Sequence, residues 1–323
     1  MSATGDSADG RSQGRASRSR SGSRAWSLAA ACLVVLGAPL AAGNVEIGGA
    51  QVKTYEWLSY GPEVYMVADV HLVSAGPQPC IVYLHGGGSV SGPVAMKFSS
   101  DEAPFSQLLA EGFPIVSAHY GSSVLGAAYP DQNVAVRQLL RWVNEVLIPS
   151  SPANFDGKVV LWGVSHGGLL ALREAFGPQL KNKHRPDLVT AWAAPTHLPY
   201  FDQGTPTQLA THFTGQVGST LSEVSFALQK ELSPAALFYS HGNKKVPAFA
   251  AYWTSPSGVP AGSLIDPHDG MSGALLAMAY PGVDLSFYED VIGELPETLE
   301  ELDPSFPMNA MIEWIRGELE ETP

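Results

Sequence analysis

Only two cysteines, Cys32 and Cys80, occur in 323 residues, which excludes a disulfide scaffold and a multi-cysteine zinc site. Basic charge is also scarce. Eighteen Lys and Arg face 31 Asp and Glu, a net charge of −13, so the chain lacks the positive footprint that phosphate-backbone recognition needs and nucleic acid is not an expected partner. The 33 Gly and 25 Pro follow no Gly-X-Y period, which rules out a collagen helix, and no tandem repeat is present. There is no dinucleotide or phosphate-loop fingerprint. His71, His119, His184, His197 and His212 have no metal-site spacing, so neither a cofactor nor a metal is expected. What remains, at 45% hydrophobic and 15% charged residues, is a globular enzyme or binding domain.

The N-terminus differs from the rest. Arg11, Arg15, Arg18, Arg20 and Arg24 stand against only Asp6 and Asp9 in a Ser- and Gly-rich background, and an apolar stretch from Ala25 to Ala42 follows. Its densest part, Leu28–Gly37, is about half of the ~20 residues a spanning helix requires. It ends in the small residues Ala41-Ala42-Gly43, and a basic region, short apolar core and small-residue exit are the marks of a secretory signal peptide. Residues 1–43 are therefore expected to be a leader cleaved near Ala42 or Gly43, sending the protein to the secretory pathway or outside the cell. An uncleaved signal anchor or an organelle transit segment is the alternative. Once the leader is gone no stable membrane span is expected, the net charge of what remains is −16, and Cys80 alone is left, a small core residue by its apolar surroundings.

From residue 44 onward strand and helix patterns alternate. Val52–Trp57 and Val64–Leu72 read as strands about a turn at Gly61-Pro62. Cys80–Leu84, Phe113–His119, Val159–Trp162, Leu188–Ala193, Pro247–Trp253 and Leu285–Tyr288 read as further strands. Helices are expected over Phe105–Glu111, Asn133–Leu147, Gly167–Phe176 and Met271–Ala279, and a last one is marked by Met308, Met311, Ile312 and Ile315. Such alternation predicts an α/β domain spanning 44–323, with a mostly parallel sheet covered on both faces. The Gln-, Thr- and Ser-rich stretch 201–230 breaks the pattern and reads as a small cap or a long loop.

Two motifs carry chemistry. Tyr83-Leu84-His85-Gly86-Gly87-Gly88 follows one buried strand, and Gly163-Val164-Ser165-His166-Gly167-Gly168 joins another strand to a helix. A serine on a sharp strand-to-helix turn needs glycines beside it, because side chains there would collide with the flanking elements. The turn would raise Ser165 Oγ above the carboxyl end of the sheet. The N–H of His166 and the backbone of Gly86, Gly87 and Gly88 would then be available to an oxyanion. Either motif alone is weak; in this order, 80 residues apart and each at a strand end, they reinforce one another.

On these residues the chain resembles the α/β-hydrolase fold, and within it the esterases with a His-Gly-Gly-Gly oxyanion loop, similar to the hormone-sensitive-lipase-like and feruloyl-esterase-like enzymes. The resemblance runs from Val64 to Arg316 and is supported by Ala118–Asp131, Asp156–Gly168 and Leu232-Ser233-Pro234. His166 departs from the alanine usual in these esterases. The resemblance implies a carboxylesterase-like serine hydrolase acting through an acyl-enzyme on Ser165, with a small-molecule ester as substrate. It also implies an acid at Asp266, with Asp269 as runner-up, and a histidine after Leu285–Tyr288. That histidine is missing: the region reads Glu289-Asp290-Val291-Ile292-Gly293, and no histidine follows His268.

Three readings are open. His268 could serve as a relocated base, with Glu289 or Asp290 as its orienting carboxylate. His241 is a weaker candidate because it precedes its strand. Alternatively the fold has lost hydrolysis and kept its pocket for an apolar or carboxylate ligand, as the resemblance to gibberellin receptors suggests. Thirdly, the acidic stretch Glu289–Asp303 could be an abnormal splice in place of a lost segment.

Overall fold

The computed structural model describes residues 41–87, 105–192, 194–200, 203–204, 206–241, 248–252 and 308–320. Eight strands form one sheet in the order β1-β2-β3-β5-β4-β6-β7-β8. They are β1 (Ala41–Ile47), β2 (Ala50–Ser59), β3 (Val67–Val73), β4 (Gln78–Leu84), β5 (Ile115–His119), β6 (Phe155–Val164), β7 (Leu188–Trp192) and β8 (Ala248–Tyr252). The first three strands join antiparallel, β3 pairs antiparallel with β5, and every pairing from β5 to β8 is parallel. The expectation of a mostly parallel α/β sheet is met.

The near-continuous apolar runs of the central strands are explained by burial on two faces. Successive residues alternate between two cores. Cys80, Val82 and Leu84 of β4 and Val159 and Leu161 of β6 point into one; Ile81 and Tyr83, with Val160 and Trp162, point into the other. The first core is closed by α2 (Asp131–Trp142) and α4 (His166–Phe176), through Val136, Leu139, Leu140, Leu170 and Leu172. The second is closed by α1 (Phe105–Ala110) and the last helix, α8 (Met308–Glu320), through Phe105, Leu108, Leu109, Met308, Met311 and Ile315. The apolar spacing that marked both helices is thus the face each turns to the sheet. Cys80 is a free, wholly buried thiol whose pKa burial pushes up, so it is an inert packing group.

Three local expectations need correction. The strand β1 was not foreseen. It pairs with β2 across Gly48-Gly49, both at positive φ (57° and 83°), as a tight hairpin requires. Its first residues, Ala41 and Ala42, lie in the small-residue exit read as a leader boundary. The second correction concerns the helix expected over Asn133–Leu147. It begins at Asp131 and gives way at Val143–Leu147 to a π-helical turn, followed by the short α3 (Ile148–Ser150). Pro149 has no N–H to return to the Glu145 carbonyl and its ring would crowd that oxygen, which a widened turn relieves. Third, the β2–β3 turn is longer than Gly61-Pro62, with β3 starting only at Val67.

The stretch after β7 is mainly helical rather than an open loop. It holds α5 (Gln208–Thr214) and α6 (Phe226–Leu232), capped by the Thr207 and Ser225 side chains, and leads into α7 (Pro234–His241). Leu198, Leu209, Ala210, Leu221 and Leu232 form a small apolar cluster that closes on Leu169 of α4. The helix expected over Met271–Ala279 and the strand expected over Leu285–Tyr288 lie outside the described residues. No helix among the described residues is long and apolar enough to cross a membrane.

Leu161 lies at the centre of the sheet with no exposed surface. Leu161→Ala should cost about 2–5 kcal/mol, since a rigid two-sided core cannot collapse onto the void. Urea unfolding of the wild type and variant measures it as a lower midpoint at unchanged slope.

Candidate active site

Ser165 sits between the last residue of β6 and the first of α4, with φ 52° and ψ −117°. A non-glycine residue in this region is strained, and the surroundings hold it there. The Ser165 N–H donates to the Trp192 carbonyl of β7 at 2.7 Å, and its own carbonyl accepts from Leu169 N–H at 3.0 Å. The glycines leave no alternative. A Cβ at Gly163 would land on the Gly167 carbonyl, and one at Gly167 on the Leu84 carbonyl and within 2.5 Å of the His85 oxygen. At Gly168 it would come within 2.8 Å of Ala194 Cβ. Strand, turn and helix pack backbone against backbone.

The glycine loop after β4 meets this turn directly. A Cβ built on Gly86 would stand 3.5 Å from Ser165 Cβ and 3.3 Å from the Val164 carbonyl, and Gly87 has a positive φ of 87°. His85 pins the loop from behind. Its Nδ1 donates to the Gly86 carbonyl at 2.8 Å, which leaves Nε2 to accept from His119 Nδ1 at 3.0 Å. Tyr120 stacks on the His85 ring at 4.4 Å and donates its hydroxyl to the His85 carbonyl at 2.6 Å. His85 thus fixes the glycine loop from its own side of the turn.

His166 contributes its backbone and not its ring. As the first residue of α4 its N–H has no intrahelical acceptor and lies at the positive end of the helix dipole. The imidazole is buried, and its Nε2 donates to Gln132 Oε1 at 2.8 Å. Gln132 is oriented in turn by donating its amide to the Gly121 carbonyl at 3.1 Å. Among the described residues His166 Nδ1 has no hydrogen-bond partner. His212 of α5 packs edge-on against this ring, centroids 4.5 Å apart, and neither of its nitrogens has a hydrogen-bond partner among the described residues.

Burial sets the charge state of these histidines. It lowers His85 and His119 from 6.5 to about 4, the latter helped by its neighbour His85. It lowers His166 to about 3, with His85 and the Arg173 guanidinium adding to the effect, and it holds His212 well below its ordinary value. All four are neutral at pH 7. Around the turn, therefore, are a hydroxyl, backbone N–H groups and neutral rings, a donor set suited to a developing oxyanion.

The structure brings together Ser165, Gly86, Gly87 and the His166 N–H. Gly88, Asp266, His268, Asp269, Glu289 and Asp290 lie outside the described residues. His241 is at the end of α7, before β8. Gln132, Tyr120 and His119 anchor the site from α2 and from the end of β5; sequence reasoning named His119 only as lacking metal-site spacing, included Tyr120 only within the supporting segment Ala118–Asp131, and missed Gln132.

Comparison with known proteins agrees with this geometry. Residues 69–223 match the BD-FAE family model, an α/β-hydrolase esterase family. The match spans just under half of the chain, and what the chain shares with its structural neighbours is the α/β-hydrolase fold. No curated protein sequence matches it. Among solved structures, an inhibited esterase B from Lactobacillus rhamnosis is similar at TM-score 0.58 and 14% identity, over 83% of this chain and 88% of that one. Carboxyl esterase 2 from Tuber melanosporum aligns at TM-score 0.52 and 17% identity, over 86% and 82%. A truncated carbohydrate esterase from gut microbiota aligns at TM-score 0.52 and 18% identity, over 71% and 84%. The BD-FAE match covers both the Gly86–Gly87 loop and the Ser165 turn, and it ends at Glu223, before β8.

Two outcomes follow from the geometry of the turn. Gly167→Ala should destabilise the fold by about 1–3 kcal/mol, because the backbone it would strike is itself part of the turn; chemical denaturation reads this directly. The buried histidines make stability pH-dependent with a definite sign. Unfolded, they take up protons near pH 6.5; folded, they resist until about pH 4 for His85 and His119 and about pH 3 for His166. Between those limits the unfolded state holds more protons, so stability falls as the pH drops below about 6.5. The urea midpoint should decline from pH 7 to pH 4.5, and less steeply in His166→Ala; parallel profiles would refute the assignment.

Proposed function

We propose that this chain is a serine hydrolase that cleaves carboxylic esters through an acyl-enzyme on Ser165. The observation that carries the reading is the strained Ser165 turn held against the Gly86–Gly87 loop, a nucleophile and an oxyanion cradle built as one unit. Ser165 Oγ attacks the ester carbonyl. The carbonyl oxygen, now an anion, takes hydrogen bonds from the His166 N–H and the backbone of the loop, and the alcohol leaves as the carbonyl re-forms. Water then repeats the attack on the acyl-serine and releases the acid. Each half needs a base to take a proton from the nucleophile and return it to the leaving group.

The rings of His85, His119 and His166 are committed elsewhere, so the base in this reading comes from beyond β8. That strand runs parallel to β6 through β7, so it ends at the same carboxyl end of the sheet as β6, which leads into Ser165. His268 is assigned as base. Asp266, or a carboxylate at Glu289 or Asp290, orients it, and Asp269 stands second to Asp266. The basic and then apolar segment 1–43 supports export, with 44–323 as the hydrolase domain. The absence of any histidine after His268 favours the second reading, a pocket that binds a small apolar or carboxylate ligand without turning it over.

A fluorophosphonate probe separates the two. The wild type should label, Ser165→Ala should abolish labelling, and His268→Ala should slow it at least a hundredfold, as loss of a base does. A folded wild type that takes no label overturns the hydrolase and leaves the binding reading.

A further inference from the structure

A second concave site lies away from the Ser165 turn. A cleft of about 200 Å³ is lined by Arg137, Gln138, Arg141 and Glu145 on α2 and the π turn, and by Gln179, Lys181 and His184 on the chain that follows α4. Its charge is out of character with the molecule. The chain carries a net −13, with thirteen Lys and Arg after residue 43, yet five of those thirteen gather at this cleft or on the segment that lines it: Arg137, Arg141, Lys181, Lys183 and Arg185. They meet two carboxylates. Glu174 is shared by Arg137, at 3.0 Å, and Asn133. Glu145 accepts from Arg141 Nε and His184 Nε2, each at 2.9 Å, and from the Lys183 ammonium, and these donors hold its carboxyl far below the ordinary range.

The usual structural reasons account for part of this set. Arg185 donates to the Ala175 and Gly177 carbonyls at the end of α4, and Arg141 sits in the last turn of α2, where a cation complements the helix dipole. They do not account for Lys181, Gln138 or Gln179, whose side chains make no hydrogen bond or ion pair among the described residues. Nor do they use all the donors that line the cleft: Arg141 commits only Nε to Glu145, and Arg137 only one amine to Glu174. Guanidinium forks with unspent N–H groups, beside an ammonium and two amides, are a tetrahedral oxoanion's hydrogen-bond set. Glu145, in the π turn, anchors Arg141 through Nε and leaves its terminal amines unspent.

We propose that this cleft is an accessory site for a sulfate or phosphate monoester, held by Arg137, Arg141 and Lys181. Its volume is several times the ~30 Å³ share of one water, leaving room beside the oxoanion for the group that carries it. The site is separate from Ser165: α2 reaches the catalytic turn through Gln132, and the cleft begins further along the same helix.

Calorimetric titration of the full chain with inorganic sulfate, inorganic phosphate, glucose 6-sulfate and glucose 6-phosphate, at ionic strength balanced with sodium chloride, tests it. Saturable binding should appear in the wild type and in Ser165→Ala, and should weaken at least tenfold in Arg141→Gln and in Lys181→Gln, both exposed enough to leave folding intact. Glu145→Gln removes the competing carboxylate and should tighten binding. Tighter binding of the esters assigns an ester-borne group, and equal binding of the free ions assigns the oxoanion alone. No saturable binding of any of the four, or equal weakening in the control Lys53→Gln, overturns the site. Binding retained in Ser165→Ala keeps this result independent of the esterase reading.

Discussion

The approach of Gly167 to the Leu84 and His85 carbonyls governs the rest of the site. Backbone meets backbone there, with no side chain to absorb an error, and three elements are fixed by the one contact: the end of β4, the Ser165 turn and the first turn of α4. The strain of a serine at φ 52° is borne because the parallel pairing of β4 with β6 and of β6 with β7 sets both flanks. The result is a hydroxyl, a helix N-terminus and a glycine loop whose relative positions follow from sheet register.

A layered support stands behind this contact. The α4 helix lies on one face of the sheet, so the core beneath it and the Ser165 turn share Leu170, Leu172 and the strand residues they touch. On the other side of the turn a chain of neutral groups runs from Gly121 through Gln132 to His166, and a second from Gly86 through His85 to His119. Neutral imidazoles suit this position. They accept and donate to backbone and amide groups without bringing a charge into a dry region, where an unpaired ion would be costly.

The two motifs and the two-faced sheet were legible in the sequence because both are dictated locally. Buried parallel strands must be apolar throughout, and a serine at such a turn must have glycines beside it. The β1 hairpin was signalled just as locally, by Gly48-Gly49, but was masked by its overlap with a segment that reads as a leader exit. The π turn had its sign in Pro149, a proline whose effect falls four residues upstream. What no local pattern could supply is the tie between residues distant in sequence: His166 to Gln132, His85 to His119 and His212 against His166. A buried histidine and an exposed one look the same in a sequence, and their partners decide what each can do.

Those ties narrow where a base for Ser165 could come from. His85 and His119 spend their facing nitrogens on one another, with His85 Nδ1 on the Gly86 carbonyl; His166 spends its proton on Gln132, and burial leaves all three poor proton acceptors at neutral pH. The His166 ring and Gln132 also fall on the side of Ser165 toward the ends of β4 and β5, where the Gly86–Gly87 loop lies. A base must approach the hydroxyl from another direction, so that the proton leaves as the carbonyl arrives. In the strand order the opposite side of β6 belongs to β7 and then β8, and the chain that leaves β8 carries His268, the last histidine in the sequence. For the proposed nucleophile Ser165, that segment is the candidate source of the base.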